Sequence, residues 1–243
     1  MGKLVDKLRQ VGQGSGSGMG FLGPRTPAQA PRPAAVLVSL GAGDVAAAEA
    51  AVKNGADGII VTRWKPGTEL GKLHAAVQSS AVWGVEAGDA RTGSDALKSA
   101  QEAGASFALI GQSAPARLLV ESLDGFDYVV AVDPPSDDLG LVLLRAENLL
   151  PAQVALLQLR LSNADLASMS VGAFARLRLI CEGLRFPVLV TLAGAPEAAH
   201  IRTLVRIGAD GIVLPGEGVT ASALGQQVQA LREQLEKTPV DEK

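Results

Sequence analysis

The sequence is poor in the residues that most often carry chemistry. It has one cysteine and two histidines in 243 residues. Cys181 has no partner for an internal disulfide, and it lies in the apolar run Leu177, Leu179, Ile180, Leu184, the setting of a buried, inert thiol. His74 and His200 stand far apart on stretches with helical periodicity, so no metal-ligand spacing exists and no metal site is expected. Aromatic residues make up only 3%. Stacking platforms for bases are therefore scarce, and nucleic acid is not expected as a partner. No apolar run approaches the roughly 18 residues of a transmembrane span, and the first apolar stretch is too short and interrupted for a secretory signal. A cytoplasmic location is expected. Also missing are a Ser-His-Asp set, an HExxH pair, a Walker loop and a strand-end lysine suited to Schiff-base chemistry.

What is abundant is small and branched. Hydrophobic residues reach 47%, so with few aromatics the core must be built from Leu, Val, Ile and Ala. The net charge of −3 is unevenly spread. Residues 1–33 hold Lys3, Lys7, Arg9, Arg25 and Arg32 against Asp6 alone, a basic arm on an acidic body.

Within that arm, residues 1–11 predict a short amphipathic helix, with Leu4, Leu8 and Val11 on one face and Lys3 and Lys7 toward the other. Residues 12–33 form a Gly/Ser-rich and then Pro-rich linker that includes Phe21 and Leu22. A helix this short is marginal alone and needs a surface to fold on. Three surfaces are open: an anionic membrane, a partner protein, or the mouth of the chain's own barrel. In the membrane reading, Lys3, Leu4, Lys7, Leu8, Val11, Phe21 and Leu22 are the binding residues. Single-arm affinity would be weak, so stable attachment implies a homo-oligomer with its arms on one side. Asp6 stands where a myristoylation site expects Ser or Thr.

Residues 34–243 alternate short β-rich runs with helical ones, which implies parallel strands with helices outside, an α/β fold of the (β/α)8 TIM-barrel kind. Strands are expected at 35–40, 58–62, 82–86, 107–110, 128–132, 188–192 and 211–214. A weak repeat supports this. Asn54-Gly55-Ala56-Asp57-Gly58-Ile59-Ile60-Val61 is matched by Ile207-Gly208-Ala209-Asp210-Gly211-Ile212-Val213-Leu214, with a looser copy from Ala103 to Ile110. In each, a glycine ends a helix in the left-handed conformation and a strand follows. The middle is irregular: two more strand candidates, 141–144 and 155–161, give nine for eight places. Either Ser136-Asp137-Asp138 caps a short helix running through Leu150, or an outer helix is lost around residues 133–155. The second is favoured, a degenerate barrel with an exposed flank suited to another subunit.

Residues 187–216, from Pro-Val-Leu-Val-Thr-Leu-Ala-Gly through Gly-Ala-Asp-Gly-Ile-Val-Leu-Pro-Gly, resemble the last quarter of phosphate- or flavin-binding TIM barrels. That resemblance implies a phosphate or FMN held by backbone N–H groups near Gly194 and Gly216. The chain departs from the pattern in three ways. Leu192-Ala193-Gly194 keeps one glycine of the usual pair, Pro196 begins the helix, and Glu217 puts a carboxylate beside the phosphate position.

Working residues in barrels project from the strand C-termini. Those ends carry Asp44, Thr62, Arg63, Lys65, Glu86, Asp89, Gln112, Ser113, Asp133, Gln158, Arg160, Thr191 and Glu217. Glu86 and Arg160 are the catalytic candidates, Glu86 as general base; Arg63, Lys65, Gly194 and Gly216 are the ligand-binding ones. Gln158 and Arg160 share a strand face, so a Glu86–Arg160 pair would equally serve as a buried polar layer. Two functions follow. The favoured one is a homo-oligomeric scaffold or assembly whose catalytic apparatus is reduced or absent, without a cofactor, peripheral on the inner face of the membrane. The alternative is a small-molecule enzyme with its site at the strand C-termini.

Overall fold

The computed structural model describes residues 2–13, 31–65, 70–77, 80–88, 93–121, 123–135, 140, 144 and 146–240. Phe21, Leu22 and Asp89 lie outside these. Eight strands form the barrel: β1 (Ala35–Gly41), β2 (Gly58–Thr62), β3 (Val82–Ala87), β4 (Phe107–Ile110), β5 (Asp127–Val132), β6 (Val154–Gln158), β7 (Val188–Thr191) and β8 (Gly211–Pro215). All pair in parallel in chain order, and β8 closes on β1 with Leu37 opposite Val213. Being covered on both faces, they read as continuous apolar runs. Helices among the described residues are α1 (Lys3–Gln13), α2 (Val45–Lys53), α3 (Leu70–Val77), α4 (Ser94–Glu102), α5 (Arg117–Val120), α6 (Asn163–Ala167), α7 (Val171–Gly183), α8 (Ala198–Arg206) and α9 (Ala221–Lys237).

The repeat does what its glycines require. Gly55, Gly104 and Gly208 have φ of 95°, 104° and 103°, a region that only glycine, lacking a Cβ, enters at little strain. Its aspartates have a further task. Asp57 Oδ2 accepts the Val36 N–H at 2.9 Å, and Asp210 Oδ2 accepts the Val188 N–H at 2.7 Å, so each ties its own strand's entry to the neighbouring strand. Inside the barrel, Gly84 makes room for the buried Phe107 ring, which a Cβ there would overlap.

Between β5 and β6 the expected loss of an outer helix is corrected. Gly140, Leu144, Ala146 and Glu147 are helical, and Leu144, placed in an expected strand, packs into the core. The strand pair is absent from the described residues because β5 pairs directly with β6, Val129 opposite Val154. The capping box at Ser162 and Asp165, which starts α6, went unread in the sequence.

The arm's placement changes its meaning. Leu4, Val5, Leu8 and Val11 are buried and join Leu37, Ile60, Phe107, Val129, Leu156 and Leu189 in one cluster inside the barrel. Helix α1 therefore stoppers the N-terminal mouth. The buried Asp127 receives the Leu4 and Val5 N–H groups at 2.9 and 3.2 Å, serving the first turn of α1 from across the fold. Burial pushes its carboxyl up, against the pull of these two donors. Gly2 lies so close that a Cβ would overlap this carboxylate. Lys7 donates to the Ser80 carbonyl at 3.2 Å, and the Arg32 N–H donates to the Val11 carbonyl at 2.9 Å. Arg32, expected in the Gly/Ser- and Pro-rich linker, is buried, and its Nη2 donates to both carboxylate oxygens of Asp57 at 2.9 and 3.1 Å. Of the three surfaces open to the arm, the barrel's own mouth takes the face of Leu4, Leu8 and Val11. The membrane reading assigned to those residues loses the apolar contact it depended on. Lys3 remains exposed.

Candidate functional site

With the lower mouth stoppered, the open end is the C-terminal one. Side chains alternate along a strand, so two steps on from inward-facing Ile60, Leu156 and Leu189 come Thr62, Gln158 and Thr191. Glu86 follows Gly84 in the same way. All four are half-buried at the top of the interior. The shared face expected for Gln158 and Arg160 holds as far as Gln158, after which the backbone turns: Arg160 has φ 51° and is exposed. Arg63, at the end of β2, has the same φ of 51°. A left-handed non-glycine residue costs on the order of 1–3 kcal/mol, and such strain concentrates where a side chain must be aimed. Here both strained residues are arginines, on strands facing each other across the barrel.

The expected Glu86–Arg160 pair does not form. Arg160 makes no ion pair or hydrogen bond with the described residues. Glu86 instead feels Glu217: burial, then the Glu217 carboxylate, raises the Glu86 pKa above the usual carboxylate range. Its backbone is held by Trp64, whose indole Nε1–H donates to the Glu86 carbonyl at 2.6 Å. Glu217 sits at the centre of the polar contacts of this mouth. It pairs with Arg63 Nη2 at 2.8 Å and accepts from the Thr62 hydroxyl at 2.7 Å, linking the ends of β8 and β2. Lys65 is exposed beyond Trp64. Asp44 turns back to accept the Gly41 N–H at 3.2 Å, and Ser113 donates to the Gly88 carbonyl at 2.8 Å, so both serve loop structure. Thr62 and Glu217 emerge as site residues only through contact, because their positions at strand ends were visible but not their union.

The two glycines expected to cradle a phosphate behave differently. The Gly216 N–H is used, donating to the Ser39 carbonyl at 2.8 Å, and a Cβ there would press on Leu40. Its role is therefore close packing at the β1–β8 seam. Around Gly194, where a Cβ would meet open space, the Ala193 N–H goes to the Leu161 carbonyl at 3.0 Å and the Glu197 N–H to Asn163 Oδ1 at 2.9 Å. Pro196 and Pro215 have no N–H to give. With the Gly216 N–H engaged at the β1–β8 seam, charge to hold an anion at this end comes from side chains. Arg63 and Arg160 are the cations set at the rim.

No family model matches the chain, and no curated protein matches its sequence. Solved structures do resemble it. Thiamine phosphate pyrophosphorylase from Pyrococcus furiosus is 17% identical with a TM-score of 0.64, over 85% of this chain and 97% of that one. The 3-keto-L-gulonate-6-phosphate decarboxylase of Vibrio cholerae is 16% identical with a TM-score of 0.63, over 85% and 99%. A mutant tryptophan synthase alpha-subunit from Pyrococcus furiosus is 16% identical with a TM-score of 0.60, over 83% and 98%. What the chain shares with these proteins is the closed (β/α)8 barrel.

Proposed function

We propose that this barrel is an enzyme for a small, phosphate-bearing molecule held at the C-terminal mouth, with Glu86 as the general acid–base group. The observation that carries the reading is Glu86 itself, a half-buried carboxyl at the open mouth, without a hydrogen-bond partner among the described residues, whose pKa is raised by burial and by Glu217. Arg63 and Arg160 would bind the anionic group, and Gln158 and Thr191 line the way to it. Two of the structural neighbours act, by their names, on phosphate-bearing compounds, which supports the substrate class. A membrane-bound scaffold draws no support from α1, whose apolar face is enclosed.

Thermal-shift titration with inorganic phosphate and small sugar phosphates tests the reading. Stabilisation is expected from at least one of them and should vanish in the Arg63→Gln/Arg160→Gln double variant. A protein stabilised by none, or a shift that survives the double substitution, would overturn it.

Glu217 competes for Arg63 with any incoming anion. Glu217→Gln is therefore expected to tighten phosphate binding by up to about fivefold, the ~1 kcal/mol scale of an exposed ion pair. Isothermal titration of both proteins would show it, and unchanged affinity would remove Arg63 from the anion site.

Glu86→Gln should abolish turnover and also leave a signature in stability. Because its folded pKa is raised, Glu86 contributes most to stability in acid and loses that contribution as pH rises through the folded pKa. The variant should thus melt higher than the parent at pH 7 and converge with it near pH 4. A variant that melts lower at pH 7 would show Glu86 to be a structural anchor.

A further inference from the structure

We infer that the flank of the barrel beside β6 carries a second small-molecule site, separate from the catalytic mouth, for a ligand with an apolar body and one anionic end. A cavity of about 410 Å3 opens between the loop after β5, the end of β6, and helices α6 and α7. That volume falls in the range of small-molecule sites, about 300–1,000 Å3. Its walls are chiefly Leu159, Leu161, Met169, Ala173 and Leu177. Leu159 and Leu161 pack on the outer side of the strand end, with the core that lies between barrel and helices, so the cavity does not open into the barrel interior.

Arg176 supplies the polar end. Its Nε donates to the Pro135 carbonyl at 3.3 Å, which fixes the guanidinium at the cavity wall. Its Nη2 is buried and has no hydrogen-bond partner among the described residues. A buried charged donor without an acceptor is among the costlier defects a fold can hold, and an acceptor brought by a ligand would relieve it. Asp165, the carboxylate on the same wall, does not fill that place. Both the backbone N–H and the hydroxyl of Ser162 donate to its Oδ2, at 2.8 and 2.7 Å, and these bonds hold its pKa low. One orphaned donor on a mainly apolar wall matches one carboxylate-like oxygen on an otherwise apolar ligand.

The test uses octanoate, with neutral octanamide as its control, on the full chain. Titration followed by heteronuclear NMR should place shifts at Leu159, Met169 and Ala173, with octanoate bound roughly tenfold or more tightly than octanamide. Arg176→Met should erase that preference while melting no lower than the parent, since it removes the orphaned donor. Ala173→Phe should fill the cavity and abolish binding of both probes. Equal binding of the two probes, preference retained in Arg176→Met, or no binding of either at millimolar concentration would each overturn the proposal. So would an octanoate-insensitive dimer that Ala173→Phe converts to a monomer, because the cavity would then belong to an interface between two copies.

Discussion

Asp57→Ala is expected to lower the free energy of unfolding by about 3–5 kcal/mol, read as a fall in the urea midpoint with an unchanged slope. The reason is the company Asp57 keeps. It is the acceptor for the buried Arg32 guanidinium at 2.9 and 3.1 Å and for the Val36 N–H at 2.9 Å, and Lys7 stands 4.0 Å away. Arg32 already leaves Nη1 without a partner among the described residues. With the carboxylate gone, a guanidinium only 2% exposed would lie uncompensated below the barrel, and the first N–H of the β1–β2 entry would lose its acceptor. The companion variant separates charge from packing. Replacing both partners, Asp57→Ala with Arg32→Met, should recover much of the loss, because removing a buried pair together is far less damaging than stranding one member. If the single variant loses less than about 1 kcal/mol, Arg32 must find water in its absence, and the lower mouth is more open than its burial indicates.

The second large effect belongs to the arm. Leu4→Ala and Leu8→Ala should each cost about 2–5 kcal/mol, the range for emptying a buried leucine site. Both side chains are nearly inaccessible, 1% and 7% exposed, and both meet the ring of branched side chains at the base of the barrel. Lying one helical turn apart in a single cluster, they should not be additive in the double variant. Removing residues 1–13 should be worse than either, since it uncovers the interior and deprives the buried Asp127 of both its N–H donors. Chemical denaturation of the three variants distinguishes a stopper from a tether. An arm that served only to reach a membrane or another protein would leave the melting of the barrel untouched, and the truncated chain would unfold at the parent's midpoint.

Much of the fold was legible because a parallel barrel writes itself locally. Its strands must be continuous apolar runs, and its helices must stop at residues able to take positive φ. Gly55, Gly104 and Gly208 mark those stops at matching positions in three repeats. Reading failed between β5 and β6, where Leu141 to Leu144 has the composition of a strand although Leu144 is helical. Four apolar residues are compatible with either period, and only neighbours choose between them. The candidate site was legible as a set of strand ends and no further. Glu86, Arg63 and Arg160 could be named from their positions, but the partnership could not: Glu86 was matched with Arg160, whereas it lies in the field of Glu217, and Arg63 holds that glutamate.

Period and spacing, both properties of neighbours along the chain, were enough to determine the (β/α)8 barrel, with one strand candidate too many. Tertiary structure alone decided where the amphipathic arm spends its apolar face. Leu4, Leu8 and Val11 advertise a need for an apolar surface without saying whose, because the hydrophobic effect has no direction and rewards any enclosure alike. What settles the choice is a pair of buried carboxylates far away in sequence. Asp127 waits at the lower mouth for the N–H groups of the arm, and Asp57 receives the arginine that follows it. Hydrogen bonds have direction, and these direct the helix into its own barrel.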